Sequence, residues 1–468
     1  MAICDTFLEK LERRGKNMQQ EIYDARLQHY LKKIIAELPR EKQDLVKSIR
    51  LCNSRIMPQP NVEPAVFLLR SDAHGGQAKF FGQMTCKNPW ACPHCSSMMM
   101  VKYKEKIASA LDALRDESRK GDERMFGFMI TFTIPHLRFQ SCREVTDILY
   151  NSYREMFRNA WNKKRTTADG KHRYFSPMNA FIVDNDITWY VRCAEYTWSQ
   201  KNGWHPHFHV IFWMPRSRVK NFDVQKWQKK LNDAWATYVE REMIKYWKEN
   251  NLYQSQDLES KAKCLLAYMD EEKKLCKNPA IKISVDKDGK LLEALSSDYL
   301  CGWGSDSELT GNYQKKASHK DHLTPYQILE KAADGDLKMK NLYLEYLFQV
   351  TRKPVHHRVD LKAGLMKIIS AWRQTEGYKS AMKKKQGEPT MWELVCWFSK
   401  SQWYRLSDEN LSSPVLSNIM YLAAINRKDL LESYLQVFEI TLIERPHFFG
   451  NHVENIFNNR TKEDLAVA

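Results

Sequence analysis

Along the first fifty residues apolar side chains return at helical intervals. Leu8, Leu11, Ile22, Leu27, Leu31, Ile34, Ile35, Leu38 and Leu45 stand among charged and polar neighbours, which predicts helix over 7–48. The period then shortens. Ala65-Val66-Phe67-Leu68-Leu69 and Ala78-Lys79-Phe80-Phe81 read as strands around the turn signal Asp72-Ala73-His74-Gly75-Gly76, and a helix is expected over 98–114. The middle of the chain alternates the two types: strand 126–134, helix 141–162, strands 179–184 and 188–197 joined at Asp184-Asn185-Asp186, strand 207–213, and helix 223–250. A further strand is expected at 281–285 before the Asp288-Gly289 turn, and 291–303 fits a helix. Beyond Thr324-Pro325 the chain reads as largely helical to its end. Strands joined by hairpins and flanked by helices predict an α+β fold, a mainly antiparallel sheet with helices packed on it.

One strand carries unusual chemistry. Gly203-Trp204-His205-Pro206-His207-Phe208-His209-Val210-Ile211-Phe212-Trp213 places three histidines at alternate positions and runs on into apolar residues. Side chains two apart on a strand share a face, so His207 and His209 project together while Phe208 turns to the core. Two imidazoles so placed can bind one divalent metal ion, but only weakly, and a third ligand is expected close by. Glu195 supplies it if the loop 198–204, with Asn202-Gly203, forms a hairpin; a cross-strand ion pair is the other reading of that carboxylate. A set of two histidines and one carboxylate suits Mn2+ or Mg2+. His205 is read as capping the loop or touching a phosphate, not as a ligand.

The cysteines cluster. Cys92-Pro93-His94-Cys95 is a Cys-x-x-Cys knuckle with Cys86 six positions upstream, a spacing that can wrap Zn2+, with Cys52 or His94 as the fourth ligand. Buried free thiols and a redox pair are the alternatives, the second lacking a thioredoxin-like βαβ context. Eleven cysteines, an odd and uneven set, fit a reducing compartment better than a disulfide framework.

Charge narrows the class of partner. Seventy-three Lys and Arg against fifty-seven Asp and Glu give a formal net charge of +16 over 468 residues, for which nucleic acid is the simplest partner. The N-terminal stretch carries charge where a secretory signal needs apolar residues, and nothing approaches the roughly 18 to 20 apolar residues of a membrane span. A cytoplasmic protein with no membrane partner is expected.

The histidine strand, with three other stretches in the same order, resembles the HUH endonucleases, in particular the plasmid rolling-circle replication initiators. Gly127-Phe128-Met129-Ile130-Thr131-Phe132-Thr133-Ile134-Pro135-His136 is similar to the family's first strand, and Tyr190-Val191-Arg192-Cys193-Ala194-Glu195-Tyr196-Thr197 to the strand before the histidines. Asp298-Tyr299-Leu300-Cys301-Gly302-Trp303-Gly304, followed by Glu308-Leu309-Thr310, resembles the nucleophile segment. The resemblance spans about 50–330 and rests on the ordered set. It implies metal-dependent, site-specific nicking of single-stranded DNA and strand transfer, with Tyr299 as the nucleophile forming a 5′-phosphotyrosine link. It also supports zinc at Cys52, Cys86, Cys92 and Cys95, since many relatives carry a similar Cys-Pro-x-Cys element before the endonuclease domain.

The implied partners are single-stranded and double-stranded origin DNA, a host polymerase that extends the free 3′-hydroxyl, and a host helicase. No Gly-x-x-x-x-Gly-Lys-Ser/Thr phosphate loop is present to supply the last activity internally. The chain departs from the family at Gly302, where relatives often have lysine, and at Leu295, where some have glutamate. Four regions follow: a helical appendage over 1–50, a Cys-rich zinc element over 51–100, the endonuclease domain over 101–330, and a helical region over 331–468. An HUH transposase or relaxase, or a non-catalytic zinc-containing DNA-binding protein, are the competing readings.

Overall fold

The structure is a computed structural model. It describes residues 16–57, 65–71, 77–116, 124–136, 138–158, 160–162, 165–166, 172–250, 281–296, 305, 322–351, 359–361, 364–375, 393–407 and 412–441. Among these, the strands in chain order are β1 (Ala65–Ser71), β2 (Gln77–Phe81), β3 (Met125–Thr133), β4 (Arg165–Thr166), β5 (His172–Arg173), β6 (Trp189–Ser199), β7 (Gly203–Pro215), β8 (Ile281–Ile283), β9 (His322–Leu323), β10 (Val359–Leu361) and β11 (Glu393–Ser399). With the helices between them they make an α+β fold whose strand pairs are antiparallel.

The chain divides into two compact units. One comprises Met1–Lys102, Leu329–Asp336 and Ser380–Ala468; the other comprises Tyr103–Ile328 and Leu337–Lys379. In the first unit β1 lies between β2 and β11, so an early and a late stretch of the chain share one sheet. Alternation along these strands sends Val66, Leu68, Ala78, Cys396 and Phe398 into a core completed by Trp403, Ile419, Leu422, Leu431 and Leu435 of the C-terminal helices. Before that sheet, the helix Lys16–Ala36 and the short helices Arg40–Leu45 and Lys47–Arg50 lead to the cysteine cluster.

The second unit is built on a sheet of order β10-β6-β7-β3-β8, with β9 paired to β6. One face is aromatic. Phe208 meets the rings of Tyr150 and Tyr153 on the helix Cys142–Phe157 at 4.8 and 5.0 Å, and Phe132 meets Trp235 on the helix Val224–Glu249 at 5.4 Å. Edge-to-face packing of this kind contributes beyond area burial alone. The other face packs Val191, Cys193, Ile211 and Trp213 against Ile107, Ala110, Leu111 and Leu114 of the helix Pro93–Arg115 and against Leu365 and Ile369. On that face, the residues that follow Cys193 and precede Ile211 are Glu195, His209 and His207.

Several sequence expectations change. Residues 179–184 are not a strand but most of the helix Pro177–Asp184. Ser176 caps it by accepting from the Asn179 backbone N–H, and Pro177 opens it, a start signal that outweighs the strand-like apolar run. Asp184-Asn185-Asp186 accordingly closes a helix rather than a hairpin, with Asp186 at φ 51°. The N-terminal helix stops before Pro39, which carries no N–H to continue it. Residues 291–296 run extended, not helical, returning from the Asp288-Gly289 turn to bridge Phe128 through Glu293; 297–304 lie outside the described residues. The C-terminal region is mainly helical but supplies β10 and β11 as well.

Candidate metal centres

The β6–β7 hairpin sets the first site. Its three-residue connection ends at Gly203, whose φ of +77° and closeness to Arg138 leave no room for a side chain: a Cβ there would lie 2.7 Å from the Arg138 carbonyl oxygen. From that turn the register runs Thr197 opposite His205, Glu195 opposite His207 and Cys193 opposite His209. Pro206 is tolerated because the β3–β7 pairing ends at Thr133 and His207, one residue before it is reached. The hairpin expected from Asn202-Gly203 is therefore present, and the three side chains it was expected to gather do meet.

Their ligand atoms form a near-equilateral triangle. Glu195 Oε2 lies 3.1 Å from His207 Nε2 and 3.2 Å from His209 Nε2, and the two Nε2 atoms are 3.1 Å apart. Ligands at right angles and about 2.2 Å from one ion stand about 3.1 Å apart, whereas tetrahedral ligands at about 2.0 to 2.1 Å from zinc spread to about 3.4 Å. The triangle lies within about 0.3 Å of both spacings, so its three atoms can reach one divalent ion. Such a set can hold a divalent ion and leave further coordination positions for oxygen ligands.

Burial sharpens the electrostatics. Desolvation opposes the Glu195 carboxylate, but the charge and hydrogen bonds of His207, together with those of His209, hold its pKa well below the usual carboxylate range. His209 Nδ1 is 3.1 Å from Thr131 Oγ1, its cross-strand partner on β3. When Nε2 faces a metal, Nδ1 carries the hydrogen and Thr131 accepts it, which fixes the ring. Among the described residues His207 has no such orienting partner, its Nδ1 being buried without a hydrogen bond. Thr131 alternates with Thr133 along β3, the two standing opposite His209 and His207, and this alternation is the sequence signal that marks it.

His205 shares the face of His207 and His209, with its ring 5.3 Å from that of His207. Desolvation, then the imidazoles of His136, His207 and His322, push its pKa well below the ordinary histidine value. It is not one of the three grouped ligands.

The second cluster lies in the first unit. Cys52 Sγ is 3.5 Å from Cys95 Sγ and 3.6 Å from Cys92 Sγ, and Cys86 Sγ is 3.5 Å from Cys95 Sγ. A disulfide requires about 2.05 Å, while thiolates about 2.3 Å from one zinc sit nearly 3.8 Å apart in a tetrahedron, so the spacing fits four ligands around one ion. Cys52, not His94, joins the other three. The backbone N–H of Cys86 points to Cys52 Sγ at 3.4 Å and that of Asn88 to Cys86 Sγ at 3.5 Å, contacts that stabilise thiolate charge. Cys92 immediately precedes the helix Pro93–Arg115 and Cys95 is its third residue, so the first helical turn sets the spacing of the two thiols.

Tyr299 lies outside the described residues, which resume only at Ser305 after Ser296. No helix among the described residues is long and apolar enough to cross a membrane. No protein-family model and no solved structure matches the chain. The chain is similar to a Streptomyces lividans protein described as "Protein rep", at 26% identity over 163 residues that cover 32% of this chain and 34% of that protein, about a third of its length.

Proposed function

We propose that this protein is a plasmid replication initiator that nicks one DNA strand at a specific site and transfers it, using a divalent ion at Glu195, His207 and His209 and Tyr299 as nucleophile. The observation that carries the reading is the triad: two alternate histidines and a cross-strand carboxylate whose ligand atoms lie 3.1 to 3.2 Å from one another on an antiparallel sheet. The similarity to the Streptomyces lividans "Protein rep" and the net charge of +16 support a replication role on DNA.

When bound, Mn2+ or Mg2+ supplies Lewis-acid polarisation of a phosphate oxygen and fixes the phosphate in place. The chain supplies the rest. The Tyr299 oxygen forms a bond to phosphorus as its phenolic proton departs, the bond from phosphorus to the 3′-oxygen breaks, and that oxygen gains a proton to become a 3′-hydroxyl. The product is a 5′-phosphotyrosine and a primer end for a polymerase; duplex and single-stranded origin DNA are the substrates and a host helicase the partner. Zinc at Cys52, Cys86, Cys92 and Cys95 serves folding, since its binding energy is also folding energy.

Covalent capture tests the reading. Labelled single-stranded oligonucleotides tiling the replicon are incubated with protein and Mn2+, and denatured protein is examined for attached label and by peptide mass spectrometry. The expected result is one oligonucleotide giving an adduct on Tyr299, abolished by chelation and by Tyr299→Phe, with duplex binding retained. An adduct on another side chain overturns the nucleophile, and no adduct with any oligonucleotide overturns the activity.

A further inference from the structure

Beside the triad runs a directional chain of hydrogen bonds. The Asn202 backbone carbonyl lies 3.0 Å from His136 Nδ1, and His136 Nε2 lies 2.7 Å from His205 Nδ1. A carbonyl oxygen only accepts, so His136 Nδ1 must carry the hydrogen. In its neutral form His136 then has its lone pair on Nε2. That lone pair accepts from Nδ1–H of His205. The only lone pair left in the chain is on His205 Nε2, and this nitrogen makes no hydrogen bond among the described residues. One backbone carbonyl thus sets the tautomer of two rings.

The position of that lone pair matters. His205 lies two residues before His207 on the same face of β7, with its ring 5.3 Å from that of His207 and 4.9 Å from that of His136. His136 follows the end of β3, and Asn202 stands at the hairpin that sets Glu195 opposite His207. Three protein ligands leave room for water on a bound ion, and water on a divalent cation is a strong hydrogen-bond donor in need of an acceptor.

We infer that His136 is a positioning residue which, through His205, presents the His205 Nε2 lone pair as an outer acceptor for water held by a divalent ion at Glu195, His207 and His209. The inference rests on reading that triad as a metal site. Glutamine can replace His136 in this role, because one amide N–H donates to Asn202 and the amide oxygen accepts from His205. Leucine fills similar space and can do neither.

The test combines spectroscopy with metal binding. Long-range proton–nitrogen NMR of histidine-labelled, triad-metal-free protein at pH 8, with the His205 signals assigned from a His205→Gln variant, reads the tautomer directly. Mn2+ titration followed by electron paramagnetic resonance reads affinity in wild type, His136→Gln and His136→Leu. Expected are a protonated Nδ1 and bare Nε2 on His205 in wild type and His136→Gln, and Mn2+ binding weakened about 10 to 100-fold in His136→Leu but within a few-fold of wild type in His136→Gln. A hydrogen on Nε2 of His205 in wild type overturns the proposal. So does wild-type affinity in His136→Leu, or a His136→Gln variant as weak as His136→Leu. Wild-type protein that binds no Mn2+ yet shows the expected tautomer marks a failure of the metal reading, and the acceptor role falls with it.

Discussion

Glu195 and His207 face each other directly across the β6–β7 ladder, with Glu195 Oε2 3.1 Å from His207 Nε2 and 3.2 Å from His209 Nε2. Twelve residues of sequence separate the first pair, and the hairpin turn alone brings them together. One carboxylate oxygen therefore serves two imidazoles. Ligand spacing at this site is a property of strand register, so changes at the turn should be felt at the metal.

Replacing His207 or His209 by alanine should abolish stoichiometric Mn2+ binding and metal-dependent nicking while leaving duplex affinity largely intact, because phosphate contacts that position DNA are separable from the ion. Thr131→Val should weaken Mn2+ about 10 to 100-fold by removing the acceptor on His209 Nδ1, and Thr131→Ser should stay close to wild type. Calorimetric titration with Mn2+ measures both, and an unchanged Thr131→Val would show that packing alone orients His209.

Gly203→Ala should destabilise the protein by about 1 to 3 kcal/mol, since any Cβ meets the Arg138 carbonyl at a φ that side-chain-bearing residues avoid. Its Mn2+ affinity should fall too. Urea denaturation with Mn2+ titration would reveal both effects, and a neutral substitution would mean that the turn relaxes without disturbing the register.

Cys92→Ser or Cys95→Ser should release about one zinc per chain and lower the melting temperature by at least about 5 °C, as metal-binding energy is lost from folding. Elemental analysis and thermal unfolding decide this. Zinc-free protein that melts as wild type would make the four thiols simple core residues.

The Glu195 carboxyl is held below its ordinary pKa of about 4.3, so its pairing stabilises the metal-free fold above that pH and is lost as pH falls through the depressed value. Melting of chelator-treated protein should therefore drop steeply below about pH 4.5 in wild type and less steeply in Glu195→Gln, when both are compared with their own values at pH 6. Parallel curves would show that the carboxylate is not paired in solution.

The sequence by itself determined the α+β class, the long helices, the histidine strand and the cysteine knuckle, because each depends on periodicity or spacing within a few residues. The side chains of His207 and His209 share a face by strand alternation alone, and Cys92 and Cys95 converge by knuckle geometry. Short apolar runs were ambiguous for the same reason: 179–184 satisfies a buried strand and a buried helix equally, and the Ser176-Pro177 cap decided for helix. Only the tertiary structure decided what comes from afar. Cys52, 43 positions from Cys95, is chosen over His94, Thr131 comes within 3.1 Å of His209 across 78 positions and His136 within 2.7 Å of His205 across 69, and β11 returns late in the chain to pair with β1. Such contacts depend on strand register and packing between elements, and one residue of slip would turn every side chain to the opposite face, so no local pattern can encode them.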